Sequence, residues 1–91
     1  MKDTETLARV FKILSVEMRI RIIELLKGQP LCVNALAHFL GITPAAVSQH
    51  LRVMRDADIV IGEKRGYFIH YRVNQEKLDE WYQMVMVLLR H

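Results

Sequence analysis

The first 41 residues repeat apolar side chains at helical spacing, with polar or glycine-containing breaks between the repeats. The pattern predicts a first helix of about ten residues before Ser15 and a second helix that has Ser15 as its N-cap. The sequence KGQP is typical of the end of that second helix. A short third helix from Val33 to Leu40 is expected to stop at Gly41.

A fourth helix is predicted from Pro44 to about Ala57, because Thr43 followed by proline is typical of an N-cap and a first helical position. At 100° per residue, one narrow arc of this helix is apolar and is expected to be buried: Val47, Leu51 and Met54. The opposite arc carries small and hydrogen-bonding side chains: Ala45, Ser48, Gln49 and Arg52, with Arg55 at its edge.

After Asp58 the pattern changes to IVIGEKRGYFIHYRV, in which β-branched and aromatic runs flank a charged loop. This predicts a hairpin with strands Ile59–Glu63 and Tyr67–Val73 and with Lys64, Arg65 and Gly66 at its tip. A last helix begins near Gln75. The fold class expected is mainly α with a small β-hairpin, in one domain over residues 1–91.

The composition indicates the cellular location of this domain and where its positive charge lies. The 91 residues carry a formal charge of +3 and a single cysteine, Cys32, so no intramolecular disulfide can form and a reducing, cytoplasmic location is expected. No signal peptide or membrane span is predicted. Residues 43–73 carry five positive side chains, Arg52, Arg55, Lys64, Arg65 and Arg72, against three carboxylates, Asp56, Asp58 and Glu63.

The polar arc of the fourth helix favours binding to double-stranded DNA. An α-helix fits the major groove, where Gln and Arg form bidentate bonds to adenine and guanine. Two helices joined by a short glycine-containing turn (about 33–57) and a basic hairpin (about 58–73) are typical of a winged helix-turn-helix. The alternative to DNA binding is that the polar face of the fourth helix is simply exposed to solvent and that the hairpin tip is an ordinary charged turn.

Three segments carry a resemblance to a known family. ILSVEMRIRIIELL is similar to ALSDPTRLRILELL, with Arg19 on the arginine after Thr; LAHFLGITPAAVSQHLRVMRDADIV is similar to LAxxLGLSxSxVSxHLxxLRxAGLV; and KRGYFIHYRV is similar to RxGRxxYYxL. The chain therefore resembles the ArsR/SmtB family of winged-helix repressors over nearly its whole length. The resemblance implies a homodimeric DNA-binding protein that pairs through its first and last helices, here about 4–14 and 75–90. Symmetric pairing of this kind predicts a palindromic operator.

The resemblance and the helix faces together give two sets of candidate residues. The DNA-binding set is Thr43, Pro44, Ala45, Ser48, Gln49, His50, Arg52, Arg55, Lys64, Arg65 and Tyr67, with His50 in an orienting or phosphate-contacting role. The dimer set is Leu7, Val10, Phe11, Leu14, Leu78, Trp81, Tyr82, Val85, Leu88 and Leu89. The alternative for this second set is the chain's own core.

The family's metal sites are not expected in this chain. The stretch PLCVNAL has Cys32 where the family has its first cysteine, but Asn34 where it has the second, and one soft ligand does not make a thiolate site. DEW has Trp81 where a second family site has histidine, and His91 stands alone at the end. His38 is expected at the surface. No metal and no cofactor is predicted, and the effector stays open.

Cys32 is expected to be a small buried hydrophobe, with a redox-sensitive thiol as the alternative. A protein–protein docking module is the competing class of function, because winged helices also serve in larger assemblies. An enzyme is not expected, since the sequence offers no nucleophile and base pairing, no paired carboxylates and no phosphate-binding glycine loop.

Overall fold

The computed structural model describes residues 2–90, where five helices pack around a small antiparallel sheet. The helices are α1 (Lys2–Leu14), α2 (Glu17–Gly28), α3 (Val33–Leu40), α4 (Pro44–Asp56) and α5 (Gln75–Arg90). The strands are β1 (Leu31–Cys32), β2 (Val60–Arg65) and β3 (Phe68–Val73). The predicted fold class is confirmed. Among the described helices, none has the length and apolar character needed to cross a bilayer.

The sheet has the order β1-β3-β2, so the predicted hairpin has a third strand beside it. Leu31 lies opposite Tyr71 and Cys32 lies opposite His70. The sequence did not predict β1, because two residues are too few to show the alternation by which a strand is recognised.

The hairpin tip differs from its prediction by two residues. Lys64 and Arg65 pair with Ile69 and Phe68, so both cations belong to β2 rather than to the turn. The turn consists of Gly66 and Tyr67, and Gly66 has a φ of 63°, which glycine adopts without a steric penalty.

The junction between α1 and α2 also differs from its prediction. Val16, not Ser15, is the N-cap residue of α2, and no side chain caps that helix. The Ser15 hydroxyl instead donates to the Lys12 carbonyl at 2.9 Å. A serine after an apolar run fits either role, since the last carbonyls of one helix and the first amides of the next both lack the regular helical hydrogen-bond partner.

The helix-turn-helix between α3 and α4 is closed by local bonds that the sequence predicted. Gly41 adopts the left-handed conformation, with φ 69°, and its amide donates to the Ala37 carbonyl at 2.9 Å. Thr43 Oγ1 then accepts from the Ala46 amide at 3.1 Å, and Pro44 opens α4.

The core lies between the helices and the inner face of the sheet. Its largest fully buried side chains are Val10, Ile22, Leu36, Val47, Met54, Ile59 and Val60. Val47, Leu51 and Met54 hold α4 against this core by the arc that the sequence predicted as buried. The opposite arc of α4 is thereby fixed toward solvent.

Candidate nucleic-acid interface

The outer face of α4 presents the polar side chains that the helical arc predicted. Ala45, Ser48, Gln49, Arg52 and Arg55 are all exposed. Small residues on this face let the helix backbone approach a partner closely, and the longer ones supply donors and acceptors that reach base edges.

A groove of about 390 Å³ separates this face from the sheet. Its walls are Ala45, Ser48, Gln49, Leu51, Arg52, Arg55 and Tyr71. On its helical wall, Arg52 Nη2 donates to Gln49 Oε1 at 3.1 Å, one turn apart. The bond holds a Gln and an Arg next to each other in the free protein, and these are the two side-chain types that form bidentate bonds to adenine and guanine.

The N-terminus of α4 lies at one end of the same face. Thr43 Oγ1 is already the acceptor for the Ala46 amide, so its hydroxyl hydrogen is the part left to donate outward. Aligned peptide dipoles give this end of the helix a partial positive charge. Thr43 and Pro44, both exposed, therefore border a favourable position for a phosphate.

His50 lies at the flank of α4 and is half-buried, unlike the rest of the predicted DNA-binding set. Arg19 of α2 donates from Nε to His50 Nδ1 at 3.5 Å. Partial burial and the nearby Arg19 charge both lower the pKa of His50 below 6.5. Sequence reasoning left Arg19 out of the site, although it aligned this residue with an arginine of the resembled family.

The hairpin carries the cations predicted for it. Lys64, Arg65 and Tyr67 are exposed, and Tyr67 at the turn is 99% exposed. Arg72 on β3 bonds and ion-pairs with Glu63 on β2, which lowers the pKa of Glu63. Because Glu63 neutralises Arg72, the outward positive charge of the hairpin comes from Lys64 and Arg65.

Comparison with known proteins agrees with this arrangement. Residues 17–61 match the model of a family described as bacterial regulatory protein, arsR family. The transcriptional repressor SdpR of Bacillus subtilis is 31% identical over 71 residues, which are 78% of this chain and 79% of SdpR. The chain belongs to the ArsR family.

One further relative and one solved structure are similar to this ArsR-family chain. The arsenic resistance transcriptional regulator ArsR1 of Pseudomonas putida is 32% identical over 82 residues, covering 89% of this chain and 63% of ArsR1. The homodimeric winged helix-turn-helix DNA-binding domain of Mb0332 from Mycobacterium bovis superimposes with a TM-score of 0.76 at 26% identity, covering 93% of this chain and 79% of that domain. The fold of this ArsR-family chain is thus a winged helix-turn-helix.

The predicted dimer set of this ArsR-family chain divides into buried and exposed members. Val10 and Trp81 are only 1% and 8% exposed, so they belong to the chain's own core and cannot offer much surface to a partner. Leu7, Leu14, Leu78 and Val85 are half-buried. The apolar side chains left at the surface of α1 and α5 are here called the dimer surface, after the role that the sequence predicted for these helices: Phe11, Tyr82, Val87, Leu88 and Leu89. Val87 was not predicted.

The residues considered for metal or redox chemistry do not cluster. Within residues 2–90, no three His, Cys, Asp or Glu side chains lie where they could share a metal ion. Cys32 is half-buried on β1, and exposed His38 stacks edge-on against Phe39 with ring centroids 5.6 Å apart. His91 lies outside the described residues.

Proposed function

We propose that this ArsR-family chain is a sequence-specific repressor that binds a palindromic DNA operator as a homodimer. One observation carries the proposal: the outer face of α4 aligns five exposed small or hydrogen-bonding side chains beside a hairpin with two outward cations. Ala45, Ser48, Gln49 and Arg52 face bases, while Thr43 and the first turn of α4 contact a phosphate. His50, at the flank, contacts the DNA backbone.

The hairpin supplies the part of the affinity that does not depend on sequence. Lys64 and Arg65 contact phosphates, and each phosphate neutralised adds roughly 0.9 to the slope of log K against log salt. Tyr67 projects beyond them at the turn and contacts the sugar-phosphate backbone.

The homodimer accounts for the dimer surface. A cluster of exposed apolar side chains on two neighbouring terminal helices is typical of a protein–protein contact. The homodimeric state of the Mb0332 domain supports the same assembly here. A two-fold axis through this surface sets two copies of α4 in successive major grooves, about 34 Å apart, which requires a palindromic operator.

The bound dimer represses transcription because it occupies DNA that RNA polymerase must reach. The similarity to the transcriptional repressor SdpR supports repression rather than activation. The proposed repressor does not sense a metal through the family's usual sites. Asn34 and Trp81 stand where those sites need a thiolate and an imidazole, and neither side chain supplies the required donor.

Fluorescence anisotropy tests the DNA-binding part. The protein is titrated against its own upstream intergenic DNA and a scrambled duplex of equal length, over a salt series. We expect tight binding to the upstream DNA, weaker binding to the scrambled one and a steep salt dependence for both. Weak and equal binding to both duplexes would refute the proposal and favour a protein partner.

Sedimentation velocity tests the homodimer. Leu88→Glu places a charge on the dimer surface and should yield monomers, whereas Phe39→Glu changes a side chain of similar exposure on α3, 53% against 51%, and should leave the dimer intact. A wild-type monomer at micromolar concentration, or a Leu88→Glu dimer, would contradict the assembly.

A further inference from the structure

The guanidinium of Arg19 joins three helices. Arg19 lies in the first turn of α2 and is half-buried. Its Nη1 donates to the Ile13 carbonyl in the last turn of α1 at 3.3 Å, and its Nε donates to His50 Nδ1 on α4 at 3.5 Å. One side chain thus connects the end of α1 to the flank of the proposed recognition helix.

The bond to His50 determines where the imidazole proton lies. A guanidinium stays protonated and has only donors, so Nδ1 accepts this bond only when it carries no hydrogen. His50 is then a neutral imidazole with its single hydrogen on Nε2. The two ring nitrogens point in nearly opposite directions, so with Nδ1 toward α2 the Nε2–H points away from α2.

The bond to Ile13 explains why a cation is stable at this position. Arg19 lies near the N-terminus of α2, where the helix dipole disfavours positive charge. The C-terminus of α1 reverses that effect, because its last carbonyls have no partner within the helix and carry partial negative charge. Ser15 Oγ donates to the Lys12 carbonyl there, and Arg19 donates to the next one.

We propose that Arg19 is a positioning residue of the DNA-binding surface, which holds His50 as an Nε2–H donor for a DNA phosphate. This inference rests on the proposed function. Arg19 itself does not contact the DNA: it acts through the tautomer and orientation of His50. Because the same guanidinium bonds to α1, the position of His50 is also tied to one of the two helices that form the dimer surface.

The first measurement is the tautomer of His50, read from the nitrogen-15 shifts of its imidazole in the free protein. The wild type should show a hydrogen on Nε2 and none on Nδ1. In Arg19→Gln the imidazole should exchange between tautomers and its pKa should rise. Arg21→Gln is the matched control, since Arg21 is also half-buried on α2 but donates to Met18 Sδ at 3.9 Å. It should leave the His50 tautomer unchanged.

The second measurement is anisotropy with the upstream duplex. Arg19→Gln should weaken binding about three- to tenfold, the effect of one hydrogen bond. His50→Ala should weaken it by a similar factor, and the double variant should lose no more than the larger single loss, because both changes remove the same contact.

Three results would overturn the inference. One is a wild-type His50 with its hydrogen on Nδ1, which needs no variant to detect. The second is an Arg19→Gln protein with the wild-type tautomer. The third is additive loss in the double variant, since it would mean that Arg19 acts on DNA without His50. If the wild type does not prefer the upstream duplex, the proposed function fails, while the tautomer in the free protein still decides the positioning role of Arg19.

Discussion

Asp58 is held in a backbone conformation that favours glycine. Within residues 2–90 it is the one non-glycine residue with positive φ, at 61°. The strained geometry lies where α4 ends and the hairpin begins, and two hydrogen bonds to the Asp58 backbone maintain it. The Asp58 amide donates to the Arg55 carbonyl at 2.9 Å, and Asn74 Nδ2 donates to the Asp58 carbonyl at 2.9 Å.

The cost of this conformation sets the size of the expected effect. A left-handed residue with a Cβ costs roughly 1–2 kcal/mol, somewhat less for Asp, and glycine avoids the cost. Glycine also raises the conformational entropy of the unfolded chain, which lowers the free energy of unfolding by about 0.4–1 kcal/mol. We therefore expect Asp58→Gly to raise the free energy of unfolding by about 0.5 kcal/mol, and Asp58→Ala to lower it. Both variants keep the two hydrogen bonds to the backbone of residue 58.

The difference in stability between the two variants measures the free-energy effect of the backbone alone. Each removes the same carboxylate, including its attraction for Lys77, so that contribution cancels between them. Urea unfolding at one fixed protein concentration should place Asp58→Gly about 1 kcal/mol above Asp58→Ala, equivalent to roughly 4–8 °C in Tm. Equal stability of the two, or a more stable alanine variant, would refute the argument from φ.

Three more predictions concern the proposed site. Thr43→Ala should cost about 1 kcal/mol of stability by urea unfolding and weaken binding to the upstream DNA, whereas Thr43→Ser should retain the cap. Arg52→Ala should reduce the preference for upstream over scrambled DNA, whereas Lys64→Ala should weaken both alike and lower the salt slope by roughly 0.9; equal behaviour of the two in anisotropy would contradict their roles. His50 has its pKa lowered by folding, so the unfolded chain binds the proton more readily and stability is lost as pH falls through 6.5 toward the folded-state pKa. Urea unfolding across that window should show a shallower decline in His50→Gln than in the wild type.

The sequence alone predicted those parts of the fold that are determined by interactions between residues close together in the chain. Gly41 ends α3 and Thr43 begins α4 through bonds between residues four or fewer positions apart, and such short-range signals are visible in the chain. The buried arc of α4 was predictable for the same reason, because helical periodicity alone places Val47, Leu51 and Met54 on one side.

What sequence missed depends on contacts between distant positions. β1 exists because Leu31 and Cys32 pair with β3 about 40 residues later, and two residues carry no periodic signal of their own. Periodicity gave α1 and α5 an apolar stripe each, but it could not say which members face the chain's own core. Trp81 is buried there and Leu88 is not, a difference that only the packing of the two helices decides.

The proposed DNA-binding face is held by internal bonds before any DNA arrives. Arg52 bonds to Gln49, Thr43 bonds to the first turn of α4, and His50 bonds to Arg19. Ordering a flexible side chain at an interface costs roughly 0.5–1.5 kcal/mol, and residues already bonded in the free protein have lost part of that freedom. On binding, the bond between Arg52 and Gln49 must be exchanged for contacts to bases, whereas the bonds of Thr43 and His50 persist and orient these side chains toward phosphates. Preorganisation of this kind therefore favours DNA sequences whose bases replace the bond that Arg52 and Gln49 make to each other, which is a physical basis for selectivity in a face of only a few polar side chains.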